Sequence, residues 1–173
     1  MKGKRIITGR VWIFGDDINT DLMYPQICYR LPEDERPKYT MSANRPGWAN
    51  NVRNGDIIMA GNNFGVGSSR PAADNIKQLG VKVVIAKSFN GLFFRNAVNT
   101  GIYPIALEFD REFTREGDIL KIDIGMGTIK NISKNDKLIL HFNKFSNFII
   151  DIIEKDGIIN KLLKEGYLSH EPL

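Results

Sequence analysis

The hydrophobic pattern changes period along the chain. "RIITGRVWIFG" (5–15) is rich in β-branched and aromatic residues and predicts a strand, bent at Gly9. It runs into "DDINTDLMYP", whose Asp, Asn and Pro residues predict a loop. From Pro25 to Asn54 four prolines and weak periodicity predict a long surface loop with at most a short helix. Regularity then returns. "DIIMAG" (56–61) and the near-continuous apolar run "VKVVIAK" (81–87) predict short strands, the second buried on both faces. Between them, "PAADNIKQL" (71–79) places Ala72, Ile76 and Leu79 on one helical face, with Pro71 in the first turn and Gly80 as the stop. "GLFFRNAVNTG" (91–101) predicts a second short helix and "IYPIAL" (102–107) a further strand.

In the last third, "GDILKIDIGMGTIKNI" predicts a β-hairpin around Gly125 and Gly127, and "DKLILHF" another strand. Apolar pairs in "NFIIDIIEKDGIINKLLKEG" fit one or two amphipathic helices hinged at Gly157. The alternation of strand and helix in the middle implies an α/β fold, a mixed sheet with a parallel strand–helix–strand core. No repeat or compositional break divides residues 1–173, which read as a single domain.

Composition narrows the class. No apolar run is long enough to span a bilayer, and the basic start lacks the apolar core of a signal peptide. The net charge of +4 is spread among interleaved acids and bases, so no nucleic-acid surface is expected, though the basic excess suits an anionic substrate or an acidic partner. One cysteine, Cys28, permits no internal disulfide and cannot hold a metal cluster alone; a reducing cytoplasm is the expected setting.

The densest chemistry lies in "GNNFGVGSSRPAADNI" (61–76). Gly61, Gly65 and Gly67 between a strand and a helix can bring backbone N–H groups to an anion. Arg70 adds a two-pronged cation and Ser68 and Ser69 add hydroxyls. The stretch lacks the lysine of a phosphate-binding P-loop and the third glycine of a dinucleotide loop, and Pro71 stands where a nucleophile elbow needs glycine. On local chemistry alone, the same residues serve equally well to turn the chain and cap a helix.

Taken together, "GDDINTDLMYP", "GNNFGVGSSR" and "VVIAKSFNGLFFRNAVNTGIYPI" resemble the swivel domain of the aconitase superfamily. Within it they are most similar to small subunits of the 3-isopropylmalate dehydratase type and their homoaconitase, citramalate and dimethylmalate relatives. The resemblance runs over about residues 8–165. It implies a swivelling β/β/α fold, with a variable substrate-specificity loop at about 25–45. It also implies a separate large subunit that carries a [4Fe–4S] cluster, and the reversible dehydration of a small hydroxy di- or tricarboxylic acid.

Carried over by position, the resemblance makes Ser68 the catalytic base. Ser69, Arg70 and Gly67 then bind substrate, joined by Asp21 of "NTD" and by Arg30 of "PQICYR". On their own, Asp21 would also suit a turn cap and Arg30 a solvated loop. Lys87 and Ser88, in "AKSF", are expected to shape the strand-to-helix turn, and Arg95 and Asn96 to be structural or interfacial. Many relatives read Ser-Arg-Glu-His-Ala where this chain has "SRPAA", so an acid and an imidazole beside the site are replaced by Pro71 and Ala72. A non-catalytic anion-binding module is the competing expectation.

Overall fold

A computed structural model describes residues 5–67, 70–134 and 138–169. The chain opens with β1 (Ile6–Ile13), a single turn of helix α1 (Thr20–Met23), two 3-10 turns at Gln26–Arg30 and Arg36–Tyr39, and the short α2 (Trp48–Asn51). Then follow β2 (Ile57–Ala60), α3 (Ala72–Gln78), β3 (Val83–Ala86), α4 (Gly91–Thr100) and β4 (Tyr103–Ala106). A hairpin of β5 (Ile119–Asp123) and β6 (Thr128–Asn131) leads to β7 (Ile139–His141), and α5 (Asn147–Glu154) and α6 (Ile158–Lys164) close the chain.

Among the described residues, seven strands form one sheet in the order β4-β3-β2-β1-β5-β6-β7. β1 is the seam. Its first half pairs antiparallel with β5, Ile6 opposite Asp123, and its second half pairs parallel with β2, Val11 opposite Ile57. The change of partner falls between Arg10 and Val11, just past Gly9, which pairs with Leu120. β2, β3 and β4 continue in parallel.

Alternation along β2 and β3 feeds two apolar layers. Ile58, Ala60, Val84 and Ala86 face α3 and part of α4. Ile57, Met59, Val83 and Ile85 face α5 and the aromatic pair Phe113 and Phe142. Burial on both faces explains why these strands read as unbroken apolar runs. The hairpin, β7 and the two helices around Gly157 stand where the pattern placed them.

Three local expectations need correction. "DDINTDLMYP" is not all loop, because Asn19 caps α1 by accepting from the Leu22 N–H at 3.0 Å. Pro71 is not in the first turn of α3 but precedes it, at φ −74° and ψ 52°. The segment from 25 to 54 is not a surface loop: Cys28, Met41 and Trp48 are buried in it. Its turns are too short for a helical period to show, and their hydrogen bonds reach distant residues. No helix among the described residues is long and apolar enough to cross a membrane.

Candidate active site

The three motif segments leave the carboxyl ends of neighbouring parallel strands, the edge where ligands bind in open α/β sheets. Residues 14–19 follow β1, 61–67 follow β2 and 87–90 follow β3. The glycine segment is stitched to both neighbours. Toward the β1 loop, Asp17 N–H donates to the Asn62 carbonyl at 2.9 Å, Gly65 N–H to Ile18 at 2.7 Å and Thr20 N–H to Val66 at 2.8 Å. Toward the β3 loop, Lys87 N–H donates to Gly61 at 3.1 Å, and Phe64 exchanges bonds with Ser88 and Asn90 at 3.0 and 2.9 Å.

Phe64 anchors this loop. It is fully buried, edge-on to Phe93 at 5.1 Å and to Phe89 at 6.0 Å. Gly65 packs so closely on Phe93 that a Cβ would stand 2.2 Å from that ring, and its φ of +81° also demands glycine. Gly67, at φ +106°, passes next to Asn19 and Thr20. The described part of the loop therefore ends, at Gly67, against the start of α1. Ser68 and Ser69 themselves lie outside the described residues.

On the far side of the serines, Arg70 folds back. The Ala72 N–H donates to the Arg70 carbonyl at 2.7 Å, closing a tight three-residue turn whose φ proline supplies. The Arg70 side chain is 16% exposed, with Nε 2.7 Å from Asp21 Oδ1. Nη1 donates to the Tyr24 carbonyl at 2.8 Å, and the guanidinium stands 5.7 Å from the Tyr29 ring. Tyr29 is 55% exposed and meets Tyr24 edge-on at 5.1 Å. Asp21, Arg70 and Gly67 are thus brought to one place, with an exposed aromatic wall beside them.

Arg30 is exposed on the 3-10 turn that carries Tyr29, and no contact joins it to Arg70 or Asp21 among the described residues. A groove of about 270 Å³ opens behind Arg70, between α3 and α4, lined by Asp74, Asn96 and Thr100. A larger groove, about 550 Å³, lies at the opposite edge of the sheet between Arg5, Lys82 and Tyr103. Arg5 there is held by both oxygens of Glu154, at 2.5 and 3.1 Å. The motif residues have no part in it.

The sequence pattern missed several residues that build the site. Asn75, buried on α3, donates to the Met23 carbonyl at 3.2 Å and the Arg36 carbonyl at 3.4 Å, pinning the segment after α1 onto α3. A polar residue inside the apolar stripe of Ala72, Ile76 and Leu79 was its one signal. Asp16 and Asn63 fix the glycine loop: Asp16 Oδ1 accepts from the Asn62 N–H at 2.6 Å, and Asn63 Nδ2 donates to Asp17 at 2.8 Å. That backbone donor holds the Asp16 carboxyl below the usual carboxylate range. Ser88, expected only to shape a turn, accepts from the Asn63 N–H at 2.8 Å.

Burial pushes the Cys28 thiol up from its ordinary value, in a fully enclosed place beside the Arg36 carbonyl and the Asn75 amide. Among the described residues no group of three or more His, Cys, Asp or Glu is gathered to hold a metal ion.

A mixed sheet whose parallel edge carries these interlocked loops is the architecture of the aconitase C-terminal domain, and the chain belongs to that family, whose sequence model matches residues 16–111. It is 41% identical to the 3-isopropylmalate dehydratase small subunit 1 of Thermotoga maritima, over 93% of this chain and 97% of that protein. Against the methanogen homoaconitase small subunit of Methanothermobacter thermautotrophicus it is 40% identical, over 92% of each chain. The crystal structure of 3-isopropylmalate dehydratase from Methanocaldococcus jannaschii superposes with a TM-score of 0.84 at 36% identity, covering 94% of this chain and 96% of that one.

Proposed function

We propose that this chain is the small subunit of a heteromeric hydro-lyase that isomerises a hydroxy di- or tricarboxylic acid, with 3-isopropylmalate as the leading substrate. One observation carries the reading: Arg70, 16% exposed and already oriented by Asp21 and the Tyr24 carbonyl, stands beside the exposed Tyr29 ring and directly follows the two serines in the chain. A guanidinium fixed in this way suits a carboxylate. The names of the relatives point the same way.

In this reading the substrate carboxylate lies against Arg70 and Ser69, and the alkyl part lies along Tyr29. Ser68, as alkoxide, takes the proton from the carbon next to the carboxylate while hydroxide leaves the neighbouring carbon; rehydration reverses the steps with the two positions exchanged. A serine hydroxyl is too weak a base unless its anion is stabilised; the N–H groups of residues 61–65 are spent on the neighbouring loops, so those at the end of the loop, Val66 and Gly67, together with Arg70 supply the stabilising field. A single enclosed thiol cannot ligate a four-iron cluster, so the cluster belongs to the partner large subunit. When bound there it supplies the Lewis acid for the departing hydroxyl.

The same reading treats residues 1–173 as one swivel domain, with specificity in the segment at about 25–45, and places the heteromer in cytoplasmic leucine biosynthesis. Arg30 favours a second possibility. Exposed one residue beyond Tyr29, it suits a third carboxylate, as in a homoaconitase type of substrate, whereas citramalate and dimethylmalate types carry two, like isopropylmalate, and differ from it only in the alkyl part.

The test is reconstitution with a cluster-bearing large subunit under anaerobic conditions, followed by turnover of each acid. Turnover of isopropylmalate, lost by at least a thousandfold in Ser68→Ala while the complex still forms, is the expected result. A Ser68→Ala complex as active as the parent removes the assigned base. A chain that binds carboxylates but yields no turnover with any large subunit is an anion-binding module.

A further inference from the structure

Two residues of the interlocked loops have left-handed backbones without being glycine: Asp17 at φ 53° and Asn63 at φ 57°. Non-glycine residues adopt this conformation only at a cost, and such outliers gather at functional sites. These two face each other. Asn63 Nδ2 donates to Asp17 Oδ1 at 2.8 Å, and the Asp17 N–H donates to the neighbouring Asn62 carbonyl at 2.9 Å. From its other side, Asn63 donates its own N–H to Ser88 Oγ at 2.8 Å, so one residue ties the loop after β2 to the loops after β1 and β3.

The fit is tight one step earlier as well. A Cβ on Gly61 would stand 1.9 Å from Asp16 Oδ1, the oxygen that accepts from the Asn62 N–H. Glycine at 17 and 63 would satisfy both backbones without strain. Only acceptor and amide side chains can also bond across the gap. The clasp is side-chain chemistry laid over a turn that does not need it for its shape, and it sits five residues upstream of Ser68.

We propose that Asp17, Asn63 and Ser88 are positioning residues. By clasping the three loops they fix the direction in which the glycine segment presents Ser68 and the N–H groups that stabilise its anion. None of the three need touch the substrate. The proposal rests on the assignment of Ser68 as the base, and it predicts a specific kinetic signature. A loosened loop holds the carboxylate on Arg70 nearly as before, but presents a misaimed base whose anion is less well stabilised. The loss therefore falls on kcat, and the acid limb of the kcat profile moves to higher pH.

The test uses the reconstituted two-subunit enzyme. Asn63→Gly keeps the left-handed backbone and deletes only the amide. It is expected to lower kcat about tenfold to a hundredfold, to change KM by less than about threefold, and to move the acid limb upward. Asp17→Asn still presents an oxygen acceptor and is expected to retain most of the rate, whereas Asp17→Gly reproduces Asn63→Gly. The double glycine variant is expected to be no slower than either single one. Thermal midpoints and assembly of each variant are measured alongside.

Parent-like kcat and pH profile in Asn63→Gly, or a rate loss that follows only the fraction of folded complex, would overturn the positioning role. The control is Ser68→Ala: if it is inactive and Asn63→Gly is normal, the clasp alone fails. If Ser68→Ala is active, the base assignment fails, and this inference with it.

Discussion

At the scale of single residues, the decisive contact is Arg70 with Asp21. Both positions were legible from their motifs, but as separate substrate contacts. Their separation of 49 positions hid the fact that the carboxylate of one holds the Nε of the other. Asp21 thus orients the cation before a substrate arrives. A charge-assisted hydrogen bond of this kind contributes about 1.5–3 kcal/mol. Asp21→Asn is accordingly expected to raise KM about tenfold in steady-state assays of the complex, with the fold unchanged. Arg70→Lys should raise it further, because a lysine cannot serve Asp21, the Tyr24 carbonyl and the Tyr29 ring together. Asn63, Ser88 and Asn75 were not legible in these roles. Short-range pattern carries no trace of partners 25 to 52 positions away.

Among the elements, β2, β3 and α4 were read closely, because burial on two faces or a single apolar stripe leaves a periodic mark. The stretch between β1 and β2 left none. It is built from turns of four or five residues, held by contacts such as Arg36 Nε to the Leu31 carbonyl at 3.0 Å and Met41 N–H to the Leu22 carbonyl at 2.8 Å. Asn75 of α3 tethers its first part to the rest, as Arg45, bonded to the Ile13 carbonyl, tethers its later part. Asn75→Ala leaves the Met23 and Arg36 carbonyls without that donor inside the fold. The expected cost is about 1–3 kcal/mol in urea unfolding. Faster amide exchange is expected in residues 24–40, with strands β2 and β3 unaffected. Equal acceleration in those strands would mean that Asn75 supports the core rather than the tether.

For the molecule as a whole, β1 joins a parallel half-sheet to an antiparallel one, and Asp56 sits where the two meet. It is buried, and burial alone would raise its pKa. Hydrogen bonds from Arg10 at 2.6 Å, Trp12 Nε1 at 2.7 Å and the Arg53 N–H at 2.9 Å overcome that cost and hold it below the ordinary 3.8. A carboxyl depressed in the folded state stabilises at pH above its unfolded value, and that stability is lost as the pH falls through the folded value. Unfolding free energy should therefore drop as the medium is acidified below about pH 4. Asp56→Asn should be less stable at neutral pH by about 1–3 kcal/mol and show a shallower acid fall, as read from denaturant titrations across that range. The mixed sheet was legible from the alternation of strand and helix; this junction was not, because Arg10 and Trp12 of β1 lie 46 and 44 positions from Asp56.

The alternate stitching of residues 61–67 to the loops on either side also dictates where this chain can change length. Each of those three loops keeps count with the next, residue against residue, so an insertion in any one shifts every later bond out of step. The excursion from Tyr24 to Gly55 keeps no such count along its length. It runs from the end of α1 to the start of β2, and residues added in its exposed part, 32–34, away from the buried Cys28, Met41 and Trp48, cost only the slowly growing entropy of a longer loop. Length can therefore vary most cheaply in the segment that, on the proposed reading, walls the substrate, while the loops that carry the proposed chemistry keep their count.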